Sequence, residues 1–401
     1  MPKQRIAIIG SGLGGLALAQ GLRDSKHEVT VYEADAGPAS RRQGYRLHID
    51  SEGMAALRRV LPDDLWRLFV ATSHRPRPVM SMLDTNLKPR FSHGADTDSA
   101  AAPDAPEHVA VSRLTLREIL ATGLDQQIRY GKRCVGYERD GSAVVARFAD
   151  GGWATADVLV GADGVNSVVR GRLLPHARVM DSGMRGIYAT VDLDDETREL
   201  FPEAMFGVFG AIADADRNWL GGAPVEFTEP LADTAARLAP AARLTPTESF
   251  MTCGFGGRVE NLPCTDAALA TMSPEELRDL AASVVADWHP TIGEIVRHWR
   301  LDSVFPLFIR SSVPVAPWRP GPVTLLGDAI HAMSPAGGAG ANNALRDAAQ
   351  LSAALERATE TVAAIGQYEA AMRDYGFAAV RMAAEWGHKL FGQRRLETVV
   401  A

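Results

Sequence analysis

Three glycines near the amino terminus, Gly10, Gly12 and Gly15, stand in the spacing GxGxxG. They follow a short apolar run, Ile6 to Ile9, that reads as a buried strand, and they precede LALAQGLRDS, which reads as a helix. Glycine at the first position permits a tight turn. At the second it lets the backbone approach a pyrophosphate, and at the third it lets helix and strand pack closely. The amino terminus of the helix offers unpaired N–H groups and a partial positive charge to such an anion. Leu13 and Gly14 belong to the same turn. EVTVYEAD then reads as a second strand that ends on Glu33, with Ala34 behind it. An acid there suits the hydroxyls of an adenosine ribose. Together these features predict a dinucleotide site, with NAD and FAD both left open by the turn alone.

Two later strand ends carry the same kind of chemistry. Residues 157–170 read DVLVGADGVNSVVR, a strand ending on Asp163-Gly164 with Ser167 and Arg170 beyond. Residues 325–347 read LLGDAIHAMSPAGGAGANNALRD, a strand ending on Gly327-Asp328, then a glycine-rich loop and a helix. Acids beside glycines at strand ends lie where open α/β sheets bind ligands. A glycine-rich loop that runs into a helix can also stabilise negative charge on a bound ring.

With these motifs in this order, the chain resembles the class A flavoprotein monooxygenases, the family of para-hydroxybenzoate hydroxylase. It is similar above all to compact members near the tetracycline-inactivating flavin monooxygenase. The resemblance spans about residues 5–385. It implies FAD as the bound cofactor and NAD(P)H as a transient co-substrate. By it, Glu33 binds the adenosine ribose, Arg113 in SRLTLREIL contacts FAD, and Asp328 binds the ribityl chain. Asp163 and Gly164 form the family's DG motif, tied to both FAD and NAD(P)H. Pro335, Gly338, Gly340, Ala341 and Asn342 form the loop over the flavin ring. Arg41, Arg42 and Arg46 follow Glu33 in a region that lies near the flavin and nicotinamide path in relatives. An anion-binding role for one of them and a solvated loop both stay open.

Two positions depart from the family pattern: Ala339 stands where glutamine is frequent, and Ile330 where a second alanine is usual. Both leave the backbone role of the loop intact. The implied reaction is hydroxylation of an aromatic or polycyclic, polyketide-like molecule with NAD(P)H and O2, through a flavin C4a-hydroperoxide. The same fold also supports epoxidation, Baeyer–Villiger oxidation, oxidase or reductase chemistry, and a non-enzymatic nucleotide-binding protein is the remaining alternative. Because the cofactor carries such chemistry, no catalytic side chain and no metal site is expected. His331, beside the GD motif, reads as a packing or capping residue. A second GxGxxG is missing, so NAD(P)H is expected to bind without a dedicated domain.

The elements that must position these residues are an α/β fold: a Rossmann-like FAD-binding domain of the glutathione-reductase type, an inserted mixed-sheet substrate domain and a C-terminal bridging helix. The expected boundaries are 1–72, 108–174 and 302–362 for the first, 73–107 and 175–301 for the second, and 363–401 for the helix. Residues 153–160 read as one strand. Residues 184–193 alternate, with Ile187, Ala189, Val191 and Leu193 on one face and a wet face opposite. Ser273 and Glu276 form a capping box before the helix 273–286. Tyr368, Met372, Phe377, Val380 and Met382 mark the apolar side of the last helix, and Trp153, Trp219 and Trp288 read as core or pocket wall.

The 401 residues are 46% apolar and 23% charged, ordinary for a globular protein. A net charge of −7 without long runs of one sign points away from nucleic acid and anionic membranes. Three cysteines without metal-like spacing predict a reducing, cytoplasmic setting. No apolar run reaches the length of a membrane span. The expected partners are therefore a small-molecule substrate, NAD(P)H and O2, with the chain a monomer or weak homodimer.

Overall fold

A computed structural model describes residues 3–38, 40, 45–94, 107–357 and 359–396. Five parallel strands form one sheet, in the order Val323–Leu325, Val158–Gly161, Arg5–Ile9, Glu28–Tyr32 and Ile128–Arg129. Ile6, Ala7, Ile8 and Ile9 are all buried, as a strand covered on both faces requires. The helix Leu13–Gly21 packs against Arg113–Ala121 and Gly340–Arg357, and Leu16, Leu116, Leu120, Leu345 and Leu351 share one core.

A second, larger sheet is mixed. Its strands run in the order Phe305–Ser312, Val179–Asp192, Phe250–Arg258, Trp219–Gly222, Gly207–Ala213, Arg77–Leu83 and Pro89–His93. All pairings are antiparallel except Gly207–Ala213 with Arg77–Leu83. Helices Pro274–Val284 and Pro290–Arg297 cover one face, where Leu277, Ala281, Ile292 and Ile295 meet Ile187, Ala189, Val191 and Phe255 in a separate core. The first of these helices starts on the expected capping box: Glu276 N donates to Ser273 Oγ at 3.2 Å, and Ser273 N donates to the Glu276 carboxylate at 2.7 Å.

The helix Thr361–Phe391 bridges the two sheets. Near its start the Tyr368 hydroxyl donates to Leu325 O at 2.9 Å, and at its end Phe391 packs on Trp219 with ring centroids 5.0 Å apart. Among the described residues no helix is long and apolar enough to cross a membrane.

Several expectations need correction. Residues 153–160 form two strands in different sheets, Trp153–Ala156 and Val158–Gly161. The break falls at Asp157, whose carboxylate accepts from Arg5 N at 2.8 Å and so ends the hairpin strand. Strand 305–312 belongs to the large sheet, beyond the expected boundary at 302, because it pairs along Val179–Asp192. The face opposite Ile187 is not wet: Gly186 and Thr190 are buried and Tyr188 is half-buried. The small antiparallel pair Arg46–Ile49 and Val109–Ser112 covers that face through Tyr45 and Arg46. Trp153 is 66% exposed and Met382 is 43% exposed, so neither belongs to a core.

Candidate functional site

Parallel strands all end at one edge of their sheet. Gly10, Glu33, Asp163-Gly164 and Gly327-Asp328 therefore gather along a single rim. The strand ends are stitched to one another there: Gly10 N donates to Tyr32 O and Ala162 N to Ile9 O, each at 2.8 Å.

The glycine turn is held by close backbone approach. Gly10 has φ +108°, and a Cβ on it would strike the carbonyl of Ala162. A Cβ on Gly15 would strike the carbonyl of Gly10, and one on Gly14 the side chain of Leu326. Gly12 differs, since nothing lies within 4 Å of where its Cβ would be. It precedes Leu13 at a helix amino terminus that no side chain caps. An open backbone face in front of uncapped N–H groups is the shape that fits a pyrophosphate.

Glu33 is buried beside this turn and accepts from Ser11 N at 2.7 Å, Ser11 Oγ at 2.8 Å and Asp35 N at 2.9 Å. Ala34 follows it, half-buried. Arg117 is not among the expected site residues. Its buried guanidinium donates to Ser11 O at 3.2 Å, Ser11 Oγ at 3.0 Å and Pro38 O at 2.7 Å. Its position one helical turn beyond Arg113 was the available signal, because residues four apart share a helix face. Arg113 itself lies over the Tyr45 ring at 5.1 Å, and its backbone N–H donates to Tyr45 O. Arg41 and Arg42 lie outside the described residues.

Asp163 turns inward on its own loop. It accepts from Ser167 Oγ at 2.5 Å and from Val168 N at 2.8 Å, while Gly164 takes φ +73°. Arg170 joins this loop to the GD motif by donating to Val165 O at 2.9 Å and Ala329 O at 2.8 Å.

Asp328 opens the short helix Asp328–His331 behind Gly327, which has φ +59°. The residue is solvent-exposed, yet protein crowds its carboxyl. That burial pushes it above the ordinary carboxylate range, with His331 and Arg113 opposing and Asp347 adding. His331 is fully buried with its Nε2 2.6 Å from Asp347 Oδ2, and Tyr375 OH donates to Asp347 Oδ1 at 2.5 Å. Burial alone would lower the imidazole, but the charge and hydrogen bond of Asp347 raise it. Gly327 N also donates to Asp347, at 2.7 Å. The pair therefore braces the GD turn.

In the loop after it, Pro335–Gly337 form a single turn and Gly338 has φ +62° with open space around it. Gly340 and Ala341 begin the long helix. Asn342 is buried with its amide spent: it donates to His48 O at 3.0 Å and Gly338 O at 3.1 Å and accepts from Asp50 N at 3.1 Å. The loop thus presents backbone, and Asn342 ties it to strand Arg46–Ile49.

Aromatic rings of both regions meet beside this rim. Tyr45 meets Tyr188 edge-on at 5.9 Å, and Tyr188 stacks on Phe305 at 5.1 Å. Burial pushes both phenols up. Asp328 and Arg113 both act on the Tyr45 phenol, so these rings adjoin the rim of strand-end motifs.

Residues 3–383 match a family model described as an FAD binding domain. Over 98% of its length the chain is 30% identical to a dual O-methyltransferase/FAD-dependent monooxygenase of Cercospora beticola, of which it covers 47%. The chain thus spans about half the length of the first curated relatives it matches. A structure from Photorhabdus luminescens described as a candidate FAD-containing monooxygenase is 32% identical, with a TM-score of 0.80 over 96% of this chain and 97% of that one. Tetracycline destructase Tet(51) shares the fold at a TM-score of 0.66 and 15% identity, over 100% of this chain and 92% of that one. The family match and these likenesses agree: the chain belongs to the FAD binding domain family of class A flavoproteins, and its cofactor is FAD.

Proposed function

We propose that this chain is an FAD-dependent monooxygenase that uses NAD(P)H and O2 to hydroxylate an aromatic or polycyclic small molecule. One observation carries the reading: the three strand-end motifs share a rim that faces the Tyr45, Tyr188 and Phe305 rings of the domain junction. Pockets favour such junctions. Bound FAD supplies the redox and oxygen-transfer chemistry.

The protein's share is binding, orientation and exclusion of water. The N–H groups at Gly12 to Gly15 hold the pyrophosphate, and Glu33 turns from Ser11 to the ribose. Asp328 and Arg113 serve the ribityl side, and the loop from Pro335 to Ala341 offers backbone to the flavin ring. Tyr45, Tyr188 and Phe305 orient a flat ring by edge and face contacts and keep water out. His331 is too deeply held by Asp347 to carry a proton to substrate. NAD(P)H binds transiently, and the chain acts as a monomer or weak homodimer.

The purified protein should be yellow, with a flavin spectrum. Substrate-stimulated NADPH oxidation under isotopically heavy dioxygen should place one heavy oxygen atom in the product. Product without that label overturns the monooxygenase reading. Asp328→Ala should purify with little flavin, and wild-type flavin content in that variant would remove the role given to this acid.

A further inference from the structure

Among the described residues Arg46 is a charge without a counter-charge. Its Nε donates to Pro224 O at 3.2 Å, while its Nη2 is buried and has no hydrogen-bond partner among the described residues. No carboxylate pairs with it among those residues. Burial lowers the guanidinium to about 10, offset only by the Tyr188 phenol. The nearby imidazoles do not compensate it. His48 is pushed down to about 4 by burial and by Arg46 itself, and His74 and His108 are lowered as well. Glu226, the nearest acid to His74 at 3.7 Å, already pairs with Arg198.

An unpaired cation held away from water destabilises a fold, and proteins retain such groups where a ligand completes them. Arg46 keeps part of its surface accessible. Its guanidinium reaches from the small strand pair to Pro224 of the large sheet and lies near Tyr188, whose ring in turn meets Tyr45 and Phe305. The geometry points to Arg46 as a specificity-determining residue that donates to an anionic oxygen, a carboxylate or an ionised phenol, on an aromatic substrate. This deepens the monooxygenase reading and rests on it. A guanidinium fork matches a carboxylate with two parallel bonds and a phenolate with one.

The test compares the FAD-loaded wild type with Arg46→Met and Arg46→Lys. The probes are 2-naphthoate, its methyl ester and 1-naphthol, the last titrated through its own ionisation, with binding read from the visible flavin spectrum. Wild type should prefer the acid over the ester, or the ionised naphthol over the neutral one, and which preference appears tells carboxylate from phenolate. Arg46→Met should lose that preference by about thirtyfold, the size expected when one member of a buried charge pair is removed, and Arg46→Lys should keep part of it. Without ligand, Arg46→Met should melt above wild type, since it fills the same space without the charge. The proposal is overturned if wild type shows neither preference, if Arg46→Met keeps it, or if ligand-free Arg46→Met melts lower. It is also overturned if Arg46→Met loses FAD, which would put Arg46 on the cofactor. Failure of the monooxygenase reading is separate: it shows in the isotope experiment, while the melting comparison stands.

Discussion

The strand-end rim and the aromatic cluster beside it are built on different principles. The strand-end side is built on backbone contact and short-range hydrogen bonds. Glycines press carbonyl against would-be Cβ, Glu33 and Asp163 accept from N–H groups beside them, and Asp347 accepts from three donors. The opposite side is side chains and incompletion, with stacked rings and a guanidinium whose Nη2 has no hydrogen-bond partner among the described residues. A site that holds one resident group can be finished in advance. A site that must select and release a substrate keeps polar capacity in reserve, at a cost in stability.

Four substitutions test how deep that contrast goes. Gly15→Ala should be the most damaging, because its Cβ meets the Gly10 carbonyl and backbone cannot step aside. We expect no bound flavin and a loss of about 5 kcal/mol or more, measured by flavin absorbance and denaturant unfolding. A yellow, stable Gly15→Ala protein would break the claim that backbone contact defines this side.

Asp347→Asn comes next. Gly327 N, Tyr375 OH and the His331 ring all point donors at this carboxylate, so an amide must aim its own N–H at one of them. Breaking a buried pair of this kind costs about 4 kcal/mol. Calorimetry should find the loss chiefly at low pH, where a His331 with a raised pKa is charged, and less once pH passes that value. An unchanged melting temperature at pH 6 would contradict the bracing role.

Glu369, buried against the sheet behind the strand-end motifs, sharpens the comparison. Burial pushes its carboxyl up to about 7, although Thr324 Oγ1 donates to it at 2.8 Å. The folded state therefore favours the protonated acid. That stability is full below the ordinary value of 4.5 and is lost as pH rises to about 7. Glu369→Gln should match wild type near pH 4.5 and exceed it above pH 7 by about 3 kcal/mol. The pH dependence of His331 cancels in that difference. Equal melting curves at pH 8 would show that burial does not raise this carboxyl.

Ser273→Ala removes a helix cap on the far face of the large sheet and should cost only about 1 kcal/mol, with flavin content unchanged. A loss of flavin here would mean that the two sides are less independent than their separate cores suggest.

The sequence by itself determined what is local. The turn around Gly10, Gly12 and Gly15, the strand-end acids Glu33, Asp163 and Asp328, and the cap at Ser273 rest on dihedral preference and short spacing, which any stretch of chain carries with it. Tertiary structure alone decided the rest. Arg117 finds Ser11 across 106 residues, and Asn342 reaches His48 O across 294. Periodicity made one face of residues 184–193 wet, but it cannot see the strand pair that brings Tyr45 and Arg46 over Tyr188. The physical reason is that alternation records which residues avoid water, whereas a half-polar face is defined by what arrives to cover it. The open guanidinium of Arg46 belongs to that second kind: its type was in the sequence, but its isolation was not.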